Sequence, residues 1–200
     1  MGSSVSPQIL DASPGYVMHV ASGPYRLEDY LALPDEPRVE LIQGRFYLSP
    51  APILLHQVVS ITLTHWLYGV ARDSGGQAFA APCDLQLAED TVVQPDLMYF
   101  DPERRQPMGP RLTAAPDLVI EILSTNAARD RVQKASLYAM HGVAEYWIVD
   151  PINRSIEFFV LVDGKYQVQP QRSAEYASPR RDGLVLDLAM FWSEVDRQIA

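Results

Sequence analysis

Residues 116–151 read PDLVIEILSTNAARDRVQKASLYAMHGVAEYWIVDP, and the fold turns on this stretch. Residues 117–123 form a short, mostly apolar β-rich run with one carboxylate, Glu121, near its end. Ser124, Thr125 and Asn126 are helix-start residues, residues 126–141 carry a helical pattern, and Gly142 is a stop signal. Residues 145–150 (EYWIVD) are a second strand, closed by Pro151. Strand, helix and strand of these lengths spell the βαβ crossover of a parallel sheet. Its polar residues are out of character with that role. Glu121 interrupts a buried strand. On the helix, Asp130, Lys134 and Tyr138 follow one another at i, i+4 and i+8, a spacing that puts all three on one face.

Upstream of this unit, residues 1–23 are rich in Ser, Pro and Gly and read as a flexible arm, leaving residues 24–200 as one domain. Residues 25–33 suggest a short helix. Residues 38–48 (RVELIQGRFYL) suggest a hairpin turning at Gln43-Gly44, with Glu40 on its first strand. Residues 53–73 form the longest helical pattern. Leu55, Val58, Val59, Thr62, Trp66, Leu67 and Val70 make its apolar stripe, and His56 and Ser60 share a neighbouring face. Short strands follow at 77–81, 84–88 and 91–100. Pro95-Asp96 inside the third implies a bulge, an edge or a break. Residues 101–115 are a long loop rich in Pro, Arg and Gly. Downstream of the βαβ unit, residues 155–162 and 166–169 flank a hairpin turn at Asp163-Gly164. Residues 184–188 and a terminal helix over 190–198 complete the chain. Strand-rich segments around a βαβ unit indicate an α/β (α+β mixed) fold, a sandwich with a mixed sheet.

Composition narrows the class. With 48% hydrophobic and 20% charged residues over 200 positions, the chain can bury a sizeable core. A single cysteine, Cys83, excludes an intrachain disulfide and a cysteine-rich zinc site, and fits a reducing, cytoplasmic setting. No apolar run is long enough to span a membrane. The net charge of −9 argues against tight binding to nucleic acid through phosphate contacts alone, yet it suits an acidic pocket for a divalent cation.

Three carboxylates, Glu40, Asp96 and Glu121, each sit in or beside an apolar strand. One alone is readily explained by an exposed face or an ion pair. Three on strands that can be neighbours are more pointed, because buried carboxylates are costly unless paired or bound to metal. Two or three acid oxygens suit magnesium or manganese, ions used in hydrolysis and phosphoryl transfer. Lys134 reads either as half of a solvated i, i+4 pair or as an ammonium reaching over the sheet edge toward these acids. His56 is more often a hydrogen-bonded structural residue at such a position. No G-x-S-x-G, G-x-G-x-x-G or Walker-type loop occurs, which leaves triad hydrolases and nucleotide-cofactor enzymes without support.

Residues 116–151 resemble the hallmark segment of the Uma family of endonucleases, small bacterial proteins of the PD-(D/E)XK nuclease superfamily. The resemblance extends to VELIQGRFY (39–47), the helix opening with His56, VQPDLMYF (93–100), DGKYQ (163–167) and DGLVLDL (182–188), and covers roughly residues 25–195. It implies a restriction-endonuclease-like core, a central mixed sheet flanked by helices with extra hairpins. It also implies a site: Asp96 as the first motif acid, Glu121 as the second, and Glu40 as an additional acid. The motif's lysine, two residues after the second acid, is absent here, since that position is Leu123; the resemblance assigns its charge to Lys134. His56 and Tyr138 match recurrent positions as accessory residues.

Together these readings indicate a Mg²⁺- or Mn²⁺-dependent endonuclease acting on nucleic acid, DNA by expectation. Asp96, Glu121, Glu40 and the Ile122 carbonyl would hold the metal. Arg104, Arg105, Arg111, Arg129 and Arg131 read either as lining the approach or, singly, as solvated surface charges, and a homodimer would suit duplex cleavage. The alternative is a catalytically inactive nuclease fold that binds a protein or nucleic acid. A third reading is a structural protein whose acids are paired with basic side chains.

Overall fold

The computed structural model describes residues 23–34, 37–48, 53–124, 128–171 and 173–200, with the side chains of 128–131 excepted. Residues 1–22 of the expected arm lie outside the described residues. The elements run α1 (Leu27–Leu31), β1 (Val39–Ile42), β2 (Arg45–Leu48), α2 (Leu54–Ser74), β3 (Gln77–Ala80), β4 (Leu85–Ala88), β5 (Thr91–Val93), β6 (Leu97–Phe100), β7 (Leu118–Ile122), α3 (Ala128–Met140), β8 (Glu145–Asp150), β9 (Ser155–Val162), β10 (Lys165–Gln169), β11 (Glu175–Ala177), β12 (Val185–Asp187) and α4 (Leu188–Ile199).

The crossover expected at 116–151 is present. β7 and β8 pair in parallel, from Leu118 opposite Glu145 to Ile122 opposite Val149, with α3 between them in sequence. They form the centre of a six-stranded mixed sheet of order β10-β9-β8-β7-β6-β3. A four-stranded sheet, β2-β1-β5-β4, stands beside it, and β11 and β12 form a separate pair.

Strand alternation sorts side chains between two cores, since successive residues point to opposite faces. Leu118, Ile120 and Ile122 of β7 pack with Trp147 and Val149 of β8 under Val59, Leu63 and Leu67 of α2 and Phe191 and Val195 of α4. Val119 and Leu123 face the other way, with Tyr146 and Ile148, against Leu137 and Tyr138 of α3. Glu121 therefore belongs to the α3 face. The buried line of α2 is His56, Val59, Leu63, Leu67 and Ala71. Leu63, outside the expected stripe, is its centre, while Leu55, Val58, Trp66 and Val70 pack around it. His56 is the first-turn member of that line.

Three differences from the sequence reading have local causes. The expected strand over 91–100 is two strands in different sheets, because Pro95 has no N–H for a ladder and the chain changes sheet there. The helix expected over 25–33 spans only Leu27–Leu31. The 101–115 loop is less free than its composition suggests: Leu112 exchanges backbone hydrogen bonds with Asp84 and Gln86 at 2.9 and 2.8 Å. The β1–β2 turn holds Gln43 and Gly44 at φ of 50° and 73°, the paired left-handed geometry that a two-residue hairpin needs. Gly76 is required for a different reason, since a Cβ there would lie 2.5 Å from the Phe100 carbonyl. No helix among the described residues is long and apolar enough to cross a membrane.

Candidate active site

The carboxyl-terminal end of β7 meets β1, the start of β6, α3 and the first turn of α2, and the six candidate side chains Glu40, His56, Asp96, Glu121, Lys134 and Tyr138 are linked there, through direct contacts and the Ile122 backbone. Glu121, near the end of β7, projects toward α3. Its Oε1 accepts hydrogen bonds from Lys134 Nζ at 3.0 Å and from the Tyr138 hydroxyl at 2.6 Å. The i, i+4 spacing on α3 delivers both donors to one carboxylate. Lys134 Nζ also donates to Glu40 Oε1 at 3.1 Å. Lys134 is thus a buried bridge between acids from two sheets rather than a solvated helix lysine. Glu40, only 5% exposed, shares its face of β1 with Ile42, and Oε1 takes a second bond from the Gln94 backbone N–H at 2.8 Å.

Asp96 completes the group from the other side. Its Oδ2 accepts the Ile122 backbone N–H at 2.7 Å, which pins the carboxylate against the strand end one residue beyond Glu121. Its Oδ1 lies 3.4 Å from Nε2 of His56, which is 8% exposed. The break at Pro95 is what frees Asp96 from a ladder position so that it can cap β7.

The electrostatics follow from burying three acids with two bases. Burial pushes the Glu121 carboxyl up; Lys134 opposes this, while Asp96 and Glu40 raise it further, to about 7. Burial pulls Lys134 down, but Glu121 and Glu40 hold it well above the ordinary lysine value, so it stays charged. Burial and the Glu121 carboxylate push the Tyr138 phenol well up, so it stays a donor. Burial alone lowers His56; the hydrogen bond and charge of Asp96, the Glu121 charge and the Ile122 carbonyl reverse that, and the imidazole titrates above its ordinary value.

The donor set has the chemistry of a hard-cation site, two carboxylates beside a strand-end carbonyl. Its arrangement departs from the three-acid metal site the sequence implied: among the described residues no three His, Cys, Asp or Glu side chains converge closely enough to hold an ion. Glu40 faces Lys134 instead of sharing a position with Asp96. Of the arginines read for the approach, three are bonded to other groups. Arg104 is bonded to Asp117 and the Ala115 carbonyl, just ahead of β7 and opposite Glu121. Arg105 is bonded to the Gly75 and Gly76 carbonyls at the far end of α2 from His56, and Arg111 to Gln86. The side chains of Arg129, Asp130 and Arg131 lie outside the described residues. Residues the sequence reading passed over include Gln94, immediately before Pro95-Asp96, and the pair Gln133 and Tyr47, joined at 3.0 Å between α3 and β2. Proximity to the motif acid was the available signal for Gln94; nothing local marked the other two.

A mixed sheet whose central parallel pair ends in an acid, with a second acid capping the strand end and a buried lysine beside them, defines a protein of the restriction-endonuclease-like nuclease fold. The family model for Uma2, described as "Putative restriction endonuclease", matches residues 27–190, and the chain belongs to that family. Among solved structures it is similar to the crystal structure of "a putative nuclease belonging to DUF820" from Anabaena variabilis ATCC 29413. The TM-score is 0.72 at 24% identity, over 86% of this chain and 99% of the other, a likeness of fold. No curated protein matches.

Proposed function

We propose that this protein is a divalent-metal-dependent endonuclease that hydrolyses phosphodiester bonds, with DNA as its substrate. The observation that carries the reading is Lys134 held by Glu121 and Glu40 at the strand end where Asp96 is anchored. Asp96, Glu121 and the Ile122 carbonyl would hold Mg²⁺ or Mn²⁺, with Glu40 adding negative charge. When bound, such an ion polarises the scissile phosphate and lowers the pKa of a water.

The chain's own groups do the rest. Lys134 places a fixed ammonium where negative charge builds on the phosphate oxygens and where a water can be oriented. Tyr138 stays protonated and fixes the Glu121 oxygen it donates to. His56 holds Asp96 from the α2 side, and the Ile122 N–H holds it from the strand. Lys134 thereby takes the role that the more common motif gives to the position of Leu123, whose side chain here packs into the core beside α3.

The test is relaxation and linearisation of supercoiled plasmid with Mg²⁺ or Mn²⁺. Asp96→Ala and Glu121→Ala are expected to abolish cleavage, and Lys134→Ala to lower it roughly 10²- to 10³-fold, the scale of losing one preorganised electrostatic group. Circular dichroism of each variant controls for folding. Full activity in the two acid variants would sink this site.

A second reading, a nuclease fold that binds without cutting, is favoured by one observation: Lys134 and His56 already face the acids. Calorimetric titration with Mn²⁺ separates the two, since only the catalytic reading requires metal binding that Asp96→Ala removes.

A further inference from the structure

Beside the Glu40–Lys134–Glu121 cluster lies a polar feature that hydrolysis leaves unused. The Gln94 backbone N–H is bonded to Glu40, as described above, but its side chain is engaged elsewhere. Gln94 Nε2 donates to Asp84 Oδ1 at 2.9 Å and to the Tyr30 hydroxyl at 3.3 Å, and Tyr30 donates to the same Asp84 oxygen at 2.9 Å. A carboxylate only accepts, so these bonds fix which end of the amide is nitrogen. The other end, Gln94 Oε1, is buried and has no hydrogen-bond partner among the described residues. Such an acceptor is costly to keep unless a bound molecule satisfies it.

Tyr30, Asp84 and Gln94 line a cavity of about 190 Å³ together with Leu31, Leu33 and Arg38. Its size suits one planar heterocycle. Leucine walls suit a ring face. Arg38 apart, its polar chemistry is one-sided: its lining includes the Asp84 carboxylate and the Gln94 amide with its unpaired oxygen, and the Tyr30 hydroxyl already spends its proton on Asp84. Asp84 is rigidly placed, because its backbone carbonyl accepts from Leu112 N at 2.9 Å.

A ligand for this cavity must bring donors. Among the bases, guanine alone carries two adjacent donors on one edge, N1–H and the N2 amino group. Adenine and cytosine place one amino group beside a ring acceptor, and thymine and uracil place one N–H between two carbonyls. Enzymes that act on nucleic acid accommodate single bases turned out of the stack in pockets of this kind.

We propose that the Tyr30–Asp84–Gln94 cavity is a guanine-reading subsite, receiving an unstacked base of the strand bound at the neighbouring acid–lysine cluster, with Arg38 placed for a flanking phosphate. The source of the base rests on the nuclease reading; the recognition chemistry does not.

The test is calorimetric titration of the full-length chain, without metal, with the 5′-monophosphates of guanosine, adenosine, cytidine and uridine. Guanosine monophosphate is expected to bind about tenfold more tightly than the others, within what one bidentate base contact supplies. Asp84→Asn replaces an acceptor by an amide of the same shape and should erase the preference. Leu31→Trp, at the exposed rim, should block all four without touching the acceptors. Circular dichroism confirms that each variant is folded. Equal binding of all four nucleotides, no binding of any at millimolar concentration, or a guanine preference that survives both substitutions would overturn the proposal. A guanine preference without plasmid cleavage would leave the subsite standing and overturn the hydrolytic reading; cleavage without the preference would do the reverse.

Discussion

Glu121 carries the largest consequence of any single residue. Its folded-state pKa of about 7 lies above the ordinary 4.5, because burial and the neighbouring acids outweigh Lys134. A raised carboxyl binds its proton more tightly in the folded state than in the unfolded chain. The stabilisation is complete below pH 4.5 and is lost as pH rises to about 7, with an upper bound of roughly 3 kcal/mol. His56, also raised, acts in the same direction from its ordinary 6.5 upward. Lys134 contributes nothing to this window, since its raised value keeps it charged until far higher pH. Metal-free protein is therefore expected to melt several degrees higher at pH 5 than at pH 8. Glu121→Gln should flatten the lower part of that slope. Thermal melts by circular dichroism in chelator check it, and parallel profiles for wild type and variant would contradict the assignment. At this scale the sequence was informative about which residues matter; it offered Lys134 reaching toward the acids as one of two readings and was silent about which of them it would bridge. Glu121 stood out as a carboxylate in an apolar strand. Its two donors were visible as an i, i+4 pair on α3. That Lys134 binds Glu40 as well depends on β1 being carried alongside by another sheet, which no local pattern encodes.

Elements show a second buried acid with a different purpose. Glu145 opens β8, is 2% exposed, and accepts from Trp147 Nε1 at 3.1 Å, from the Tyr176 hydroxyl at 3.0 Å and from the Ser178 hydroxyl. It ties β8 to β11 and the turn after it, at the opposite end of the parallel pair from Glu121. Removing it strands several buried donors, and each unsatisfied group costs on the order of 1–3 kcal/mol. Glu145→Ala is expected to lower stability by roughly 2–4 kcal/mol, read from urea unfolding. Plasmid cleavage per folded molecule should not change, because no contact links Glu145 to the Glu121 cluster. An equal loss of specific activity would mean that the two ends of the sheet are coupled. Element legibility followed the strength of local signals. The βαβ unit and both Gly-containing hairpin turns are written in short-range chemistry, so they are found where the residues put them. Glu145 was absorbed into EYWIVD as a strand residue, because two of its three partners, Tyr176 and Ser178, lie some thirty positions downstream. The split at Pro95 was visible as a break, but the sheets on either side of it are set by long-range pairing.

The whole molecule has a net charge of −9, and its candidate centre concentrates acids where a phosphate would have to sit. Three carboxylates against Lys134 and a titratable His56 leave the metal-free centre unfavourable to a polyanion, and Arg104, Arg105 and Arg111 are bonded elsewhere. Affinity for nucleic acid normally comes from counterion release at basic contacts. Among the described residues few such contacts lie at the acids, so on the proposed metal-dependent reading a cation there would favour binding as well as chemistry. Two outcomes follow for fluorescence anisotropy with a labelled duplex. In chelator, wild-type protein should bind weakly, with a shallow salt dependence; Ca²⁺ or Mg²⁺ should strengthen binding. Neutralising the acids while keeping their shape should do without metal part of what the cation does: Asp96→Asn with Glu121→Gln is expected to tighten metal-free binding several-fold, because like charges a few ångströms from a phosphate are removed from a low-dielectric site. The same variant should lose the response to added metal. A double variant that binds DNA no better than wild type in chelator, and still responds to Mg²⁺, would show that phosphate approaches the protein somewhere other than the end of β7.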